Sequence, residues 1–184
     1  MHYSVIKNCD IANGPGVRVV LFVSGCRHHC KGCFQPETWN FEYGRPFTQE
    51  TVDHILALMK PSYIAGITLL GGEPMEPENQ GSLLDLMQQI KAAYPEKNIW
   101  CFSGYHYEDL MAGKIGSGET VRKMLALADV LVDGPFIQEK KNLRLRFRGS
   151  ENQRLIDLRK TEANGCVTFW TDLKEGETPC RKSL

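Results

Sequence analysis

The sequence has no excess of charge of either sign: 22 lysines and arginines stand against 22 aspartates and glutamates in 184 residues. A chain so balanced lacks the basic field of a nucleic-acid or membrane-surface binder, and any charge-driven partner has to meet a local patch. Also missing is any apolar run near the ~18 residues of a membrane span. The start, Met1 to Val20, has neither a charged segment followed by an apolar one nor a cleavage site. These absences point to a cytoplasmic protein with no nucleic acid and no membrane among its partners. No repeat, low-complexity tract or linker breaks the chain, and 42% hydrophobic with 24% charged residues suits one globular domain with a full core. A Walker-type Gly-Lys-Ser/Thr pattern is lacking too. Gly116-Ser117-Gly118-Glu119 opens a helix, but Val121 stands where a dinucleotide fingerprint needs glycine, which sets nucleotide-phosphate hydrolysis aside.

What is present is an alternation of strand and helix patterns, the signature of an α/β fold. Val17–Val23, Ile64–Leu70, Asn98–Phe102 and Val130–Val132 are nearly all apolar, as parallel strands buried on both faces must be. Between them Val52, Ile55, Leu56 and Met59, then Leu83, Leu86, Met87, Ile90 and Tyr94, then Val121, Met124, Leu125 and Ala128 repeat with the period of a buried helix stripe. Thr48 is placed to cap the first of these helices. Right-handed crossovers put every strand-to-helix loop at one edge of the sheet, the edge where such folds bind ligands. Those loops read Ser24-Gly25-Cys26, Gly71-Gly72-Glu73-Pro74, Ser103-Gly104-Tyr105 and Asp133-Gly134-Pro135. A full eight-unit barrel takes ~250 residues, so the expected fold is an incomplete β/α barrel of parallel strands with outer helices and one unclosed flank.

Seven cysteines are an odd number, and Cys26, Cys30 and Cys33 fall in one loop. Three thiolates at that spacing can grip three corners of a cubane iron-sulfur cluster and leave one iron open, whereas electron-transfer ferredoxins tie down all four. His28 or His29 completing a Cys3His zinc site is the alternative that spacing alone leaves open, although structural zinc usually joins two separated ligand pairs. Cys9 and Cys101 read as small buried residues. Cys166 and Cys180 are separated by a distance that matches no metal template, so they read as free thiols. Between Gln138 and Lys160, eight Lys or Arg face three Asp or Glu, and Arg144, Arg146 and Arg148 alternate with Leu143, Leu145 and Phe147. This period suggests an edge strand with one basic face, serving either to block aggregation or to dock a partner.

The Cys26-x3-Cys30-x2-Cys33 loop after one strand, with Gly71-Gly72-Glu73-Pro74 after the next, resembles the radical S-adenosylmethionine superfamily. Asn13-Gly14-Pro15-Gly16, Phe22-Val23-Ser24-Gly25-Cys26, Ser103-Gly104-Tyr105, Val132-Asp133-Gly134-Pro135-Phe136 and Arg148-Gly149-Ser150-Glu151-Asn152-Gln153 narrow the likeness to the branch that activates anaerobic (class III) ribonucleotide reductase. It reaches over about residues 3 to 158, which implies a radical domain at 1–160 and an extension of unassigned role at 161–184. The resemblance implies a 4Fe-4S cluster on Cys26, Cys30 and Cys33 whose open iron chelates S-adenosylmethionine. It further implies that Gly71, Gly72, Glu73 and Ser103 border that cofactor, Gly72 and Glu73 accepting its ammonium, and that the backbone of Gly32, Cys33 and Phe34 borders its adenine. The activity it implies is reductive cleavage of the cofactor to a radical that takes hydrogen from a glycine of the reductase large subunit, with reduced flavodoxin as electron donor. The sequence departs from the wider superfamily at Gly32, where an aromatic residue is common. Another glycyl-radical or small-molecule branch, and a metal-binding module without turnover, are the other readings.

Overall fold

The structure, a computed structural model, describes residues 1–171. It is a mixed α/β fold around one seven-stranded sheet. The elements are β1 (His2–Asp10), β2 (Val17–Val23), β3 (Arg45–Pro46), α1 (Gln49–Met59), β4 (Ile64–Gly71), α2 (Pro77–Ala93), β5 (Asn98–Phe102), α3 (Tyr107–Met111), α4 (Gly118–Leu127), β6 (Val130–Asp133), β7 (Arg154–Asp157) and α5 (Leu158–Asn164). The sheet order is β3-β1-β2-β4-β5-β6-β7. Strands β2, β4, β5 and β6 run parallel, and β1, β3 and β7 are antiparallel additions at the two flanks. The four apolar runs read from sequence are thus the parallel centre. Thr48 stands at the start of α1, its N–H donating to Thr51 Oγ1 at 3.3 Å.

Because side chains alternate across a strand, the sheet has two unlike faces. Val19, Leu21, Val23, Ile67, Leu69, Ile99, Cys101 and Leu131 point to the helix layer and share one core with Ile55, Met59, Leu83, Met87, Val121 and Met124. The other face carries Phe22, Leu70, Phe102, Trp100, Val130 and Val132, and no helix among the described residues covers it. At its lower end lies Arg18, fully buried. Its Nε donates to Thr68 Oγ1 at 2.8 Å, Nη1 to Asn98 Oδ1 at 2.7 Å and to the Pro15 carbonyl at 3.2 Å, and Nη2 to the Ile67 carbonyl at 2.7 Å. Burial lowers its pKa to about 10, which leaves it charged at neutral pH. This single side chain joins β2, β4, β5 and the Asn13–Gly16 turn, since Thr68 Oγ1 in turn donates to the Asn13 carbonyl.

Two expectations change. Cys101 is buried as expected, but Cys9 is exposed, because the β1–β2 register slips between Lys7 and Asp10 and the bulge turns Cys9 outward at φ 62°. Cys166 is disulfide-bonded rather than a free thiol, and Cys180 lies outside the described residues. The boundary expected at residue 160 falls inside α5. Among the described residues no helix is long and apolar enough to cross a membrane.

Replacing Arg18 by Met keeps most of its volume but strands four acceptors, two buried and two half-buried. The expected cost is about 3 kcal/mol of unfolding free energy, read from urea denaturation of the metal-free protein at pH 7; a loss no larger than that of a surface Arg→Met control would contradict the role given to Arg18.

Candidate functional site

The turns that follow β2, β4, β5 and β6 meet at one edge of the sheet and open onto a cavity of about 610 Å³ on the helix-free face. Cys26, Cys30, Cys33, Phe34, Gly71, Gly72, Glu73 and Ser103 all line it, with Phe22, Leu70 and Phe102 as its apolar floor. Gly32, exposed beside this wall, adopts φ 73°, a left-handed backbone that disfavours an L side chain, and a Cβ there would meet the end of the Gln138 side chain, Oε1 at 2.1 Å. Gln138 Oε1 is itself buried without a hydrogen-bond partner.

The cysteine loop is held on three sides. Gly25 N–H donates to the Thr38 carbonyl at 2.8 Å and Cys26 N–H to the Trp39 carbonyl at 3.3 Å. Arg27 donates from its backbone to Glu76 Oε1 at 2.8 Å, from Nη1 to Glu76 Oε2 at 2.5 Å and from Nη2 to Glu78 Oε1 at 2.6 Å, clamping the loop to the start of α2. All three thiols are free. Burial pushes the Cys26 thiol up to about 12, against the pull of the His28 and His29 backbone N–H groups, and burial also raises Cys30. Both therefore stay protonated until a metal displaces the proton.

The histidines are committed elsewhere. His28 Nε2 lies 3.0 Å from Glu73 Oε2, a pairing that raises its pKa, and its ring packs on Tyr105 at 4.3 Å. His29 stacks on Trp39 at 4.6 Å. Among the described residues no group of three or more His, Cys, Asp or Glu closes on a single metal ion. A cubane, larger than one ion, accepts more widely set thiolates, and three free thiols on one loop facing one cavity are the donor set it requires.

Glu73 is 1% exposed, and its carboxylate is fully engaged: Oε1 accepts from Met75 N–H at 2.8 Å, Oε2 from Gly104 N–H at 2.6 Å and from His28. One side chain thus ties the turns after β2, β4 and β5. Asp133 does the same after β6, accepting from Tyr107 N–H at 2.8 Å and pairing with Arg154. Sequence reasoning missed Glu76, whose signal was a second glutamate within reach of a lone Arg in the cysteine loop. It also missed Gln138, which no local pattern marks.

The far wall of the cavity is the segment between Gly134 and Gln153. It is not the basic edge strand expected over Leu143–Arg148. Lys141 and Ser150 form one isolated bridge, the residues between them turn, and Phe147 adopts φ 56°. The cause is side-chain competition for backbone N–H groups. Asn142 Oδ1 takes Arg144 N–H at 3.0 Å, and Gln153 Oε1 takes Gly149 N–H at 2.9 Å and Ser150 N–H at 3.1 Å. Arg144, Arg146 and Arg148 accordingly share no strand face. Arg148 lines the cavity, anchored by Nη1 on the Gln153 carbonyl at 2.8 Å.

Two carboxylates of this region should behave differently. Glu73→Ala leaves three donors unpaired, one buried and two half-buried, and is expected to cost about 3 kcal/mol in urea denaturation at pH 7, whereas Glu78→Gln costs little because that pair is half exposed and screened by water. Arg27 holds the Glu78 carboxyl down to about 2, from an ordinary 4.5. Its small contribution is therefore complete above pH 4.5 and disappears as the pH falls toward 2. Acid titration of the metal-free protein should show a slightly shallower loss for Glu78→Gln over that window; identical curves would mean the pair is silent.

The family model of a 4Fe-4S single cluster domain matches residues 12–156. An anaerobic ribonucleoside-triphosphate reductase-activating protein of Enterobacteria phage T4 is 43% identical over 157 residues, 84% of this chain and 93% of the relative. The protein of that name in Vibrio cholerae is 43% identical over 155 residues, covering 83% and 96%. In Escherichia coli K12 it is 41% identical over 161 residues, covering 86% and 100%. With such identity over most of the chain and of each relative, the chain belongs to the family of anaerobic ribonucleoside-triphosphate reductase-activating proteins.

Proposed function

We propose that this chain forms the glycyl radical of an anaerobic ribonucleotide reductase by cleaving S-adenosylmethionine reductively at a 4Fe-4S cluster held by Cys26, Cys30 and Cys33. The observation that carries the reading is the set of three free thiols on one loop, turned into a cavity whose other walls are the turns after β4, β5 and β6. When bound, the cluster supplies an electron to the sulfonium, so that methionine leaves and the deoxyadenosyl fragment takes a hydrogen atom from a glycine of the reductase.

The residues of the chain bind, orient and keep the site dry. Gly71, Gly72 and Ser103 bring small, close walls to the cofactor, and the Gly72 backbone offers the acceptor for its ammonium. Glu73, its oxygens already shared by Met75, Gly104 and His28, contributes a fixed negative charge beside that ammonium. The backbone of Gly32, Cys33 and Phe34 borders the adenine. Phe22, Leu70 and Phe102 exclude water from the floor. The one-sided helix layer and the parallel centre support the incomplete-barrel reading, with the reductase entering at the open flank. In this reading Arg144, Arg146 and Arg148 would meet it or an acidic donor such as reduced flavodoxin. In this reading residues 1–160 are the radical domain, 161–184 the extension, and the protein works in the cytoplasm.

Anaerobic reconstitution with iron and sulfide should give a protein that, with dithionite, releases 5′-deoxyadenosine from S-adenosylmethionine. Cys30→Ser is expected to abolish this and Cys180→Ser to leave it intact. Mixing with the reductase should add the doublet of a glycyl radical in electron paramagnetic resonance. Cleavage with a doublet only on a different partner would move the chain to another activating branch; bound zinc and no cleavage would end the radical reading.

A further inference from the structure

The stretch after α5, which the resemblance does not reach, is fastened to both faces of the sheet. Gly165, at φ 65°, ends α5 and turns the chain back. Asp157 N–H then donates to the Thr168 carbonyl at 2.9 Å, Phe169 bridges Ile156 in antiparallel sense, and Trp170 N–H donates to the Leu155 carbonyl at 2.9 Å. Thr168 N–H is fixed in turn by Thr161 Oγ1 at 2.9 Å. Residues 168–170 thus run along β7, a strand that would otherwise present a bare edge.

This course brings Trp170 round to the helix-free face. Its ring meets Trp100 edge-on at 4.9 Å and 77°, and Phe147 at 6.0 Å and 65°, while Phe147 meets Trp100 at 5.4 Å and 80°. Three rings in mutual edge-to-face contact fix one another strongly. One of them needs fixing, because Phe147 holds a left-handed backbone conformation that a bulky residue keeps only when its surroundings compel it. Phe147 immediately precedes Arg148, and both line the cavity opposite the cysteines.

We propose that Trp170 is a positioning residue for the site: by wedging Phe147 against Trp100 it locks the 142–149 segment as the far wall of the cavity. The role in catalysis rests on the function proposed above, whereas the locking does not. Of the residues Trp170 meets, Phe147 is the one that lines the cavity.

Trypsin reads the lock directly, because Lys140, Lys141, Arg144, Arg146 and Arg148 place its cleavage sites in and beside the segment. In the full-length protein, reconstituted anaerobically, Trp170→Ala should accelerate cleavage at these sites about tenfold, the factor that loss of such ring contacts converts to, with the rate at Lys123 on α4 unchanged. Trp170→Phe should bring the rate back most of the way. Equal loop cleavage in wild type and Trp170→Ala would overturn the proposal, as would a rise at Lys123 of the same size, which marks global loosening. A rise in the reductase concentration needed for half-maximal radical formation is expected alongside; if wild type itself forms no radical, the proposed function fails and the proteolysis still decides the lock.

Discussion

A buried carboxylate cannot be left short of donors, and that constraint at Glu73 sets the geometry of the site. Placed at 1% exposure, its charge is tolerable only because Met75 N–H, Gly104 N–H and His28 reach it together. Satisfying it requires the turns after β2, β4 and β5 to converge, which is the convergence that brings the three thiols to one cavity. It also fixes a side chain of the loop: His28 is held on Glu73 and packed on Tyr105, apart from the three free thiols of the loop. Gly104 belongs to the same arrangement: a Cβ there would strike the His28 ring at 2.6 Å, and the histidine could no longer reach its partner.

The second constraint is the asymmetry of the sheet. Helices fill one face with a continuous core, and the other keeps large side chains with no helix to cover them. Apolar surface left in this way must be closed by loops or by a ligand. The Gly134–Gln153 segment and Trp170 close the lower part, and the upper part remains as the cavity between the cysteines and Arg148. A parallel sheet covered by helices on both sides would have no such space. Arg18 solves a related problem at the bottom, where a buried cation is bonded to carbonyl, hydroxyl and amide oxygens of β4, β5 and the Asn13–Gly16 turn.

Much of this was legible because it is local. Parallel strands buried on both faces must be apolar throughout, so Val17–Val23 and Asn98–Phe102 were found to the residue, and the glycines and cysteines of the turns stand where backbone has to come close. The antiparallel flanks were not found. β1 is mostly half-exposed and mixes Lys7, Asn8 and Asp10 with its apolar residues, and β7 spans only Arg154–Asp157. The ties that define the site were also illegible, because Glu73 to Gly104 and Arg27 to Glu76 join residues far apart in sequence. Cys9 was misread for a related reason: a register slip that no pattern announces turned it to solvent.

The basic stretch shows where periodicity fails as a guide. Alternation of Arg with Leu or Phe is a strand signal only if the backbone N–H groups have a neighbouring strand to pair with. Here Asn142 and Gln153 supply side-chain oxygens at both ends of the segment, and the chain gains more by turning onto them than by extending at an unpaired edge. The turn then forces Phe147 into a conformation it would not choose, and the strain is held by ring contacts from outside the segment. A residue beyond the resemblance thereby acquires influence over the wall of the site, through packing rather than through any contact with the reacting groups.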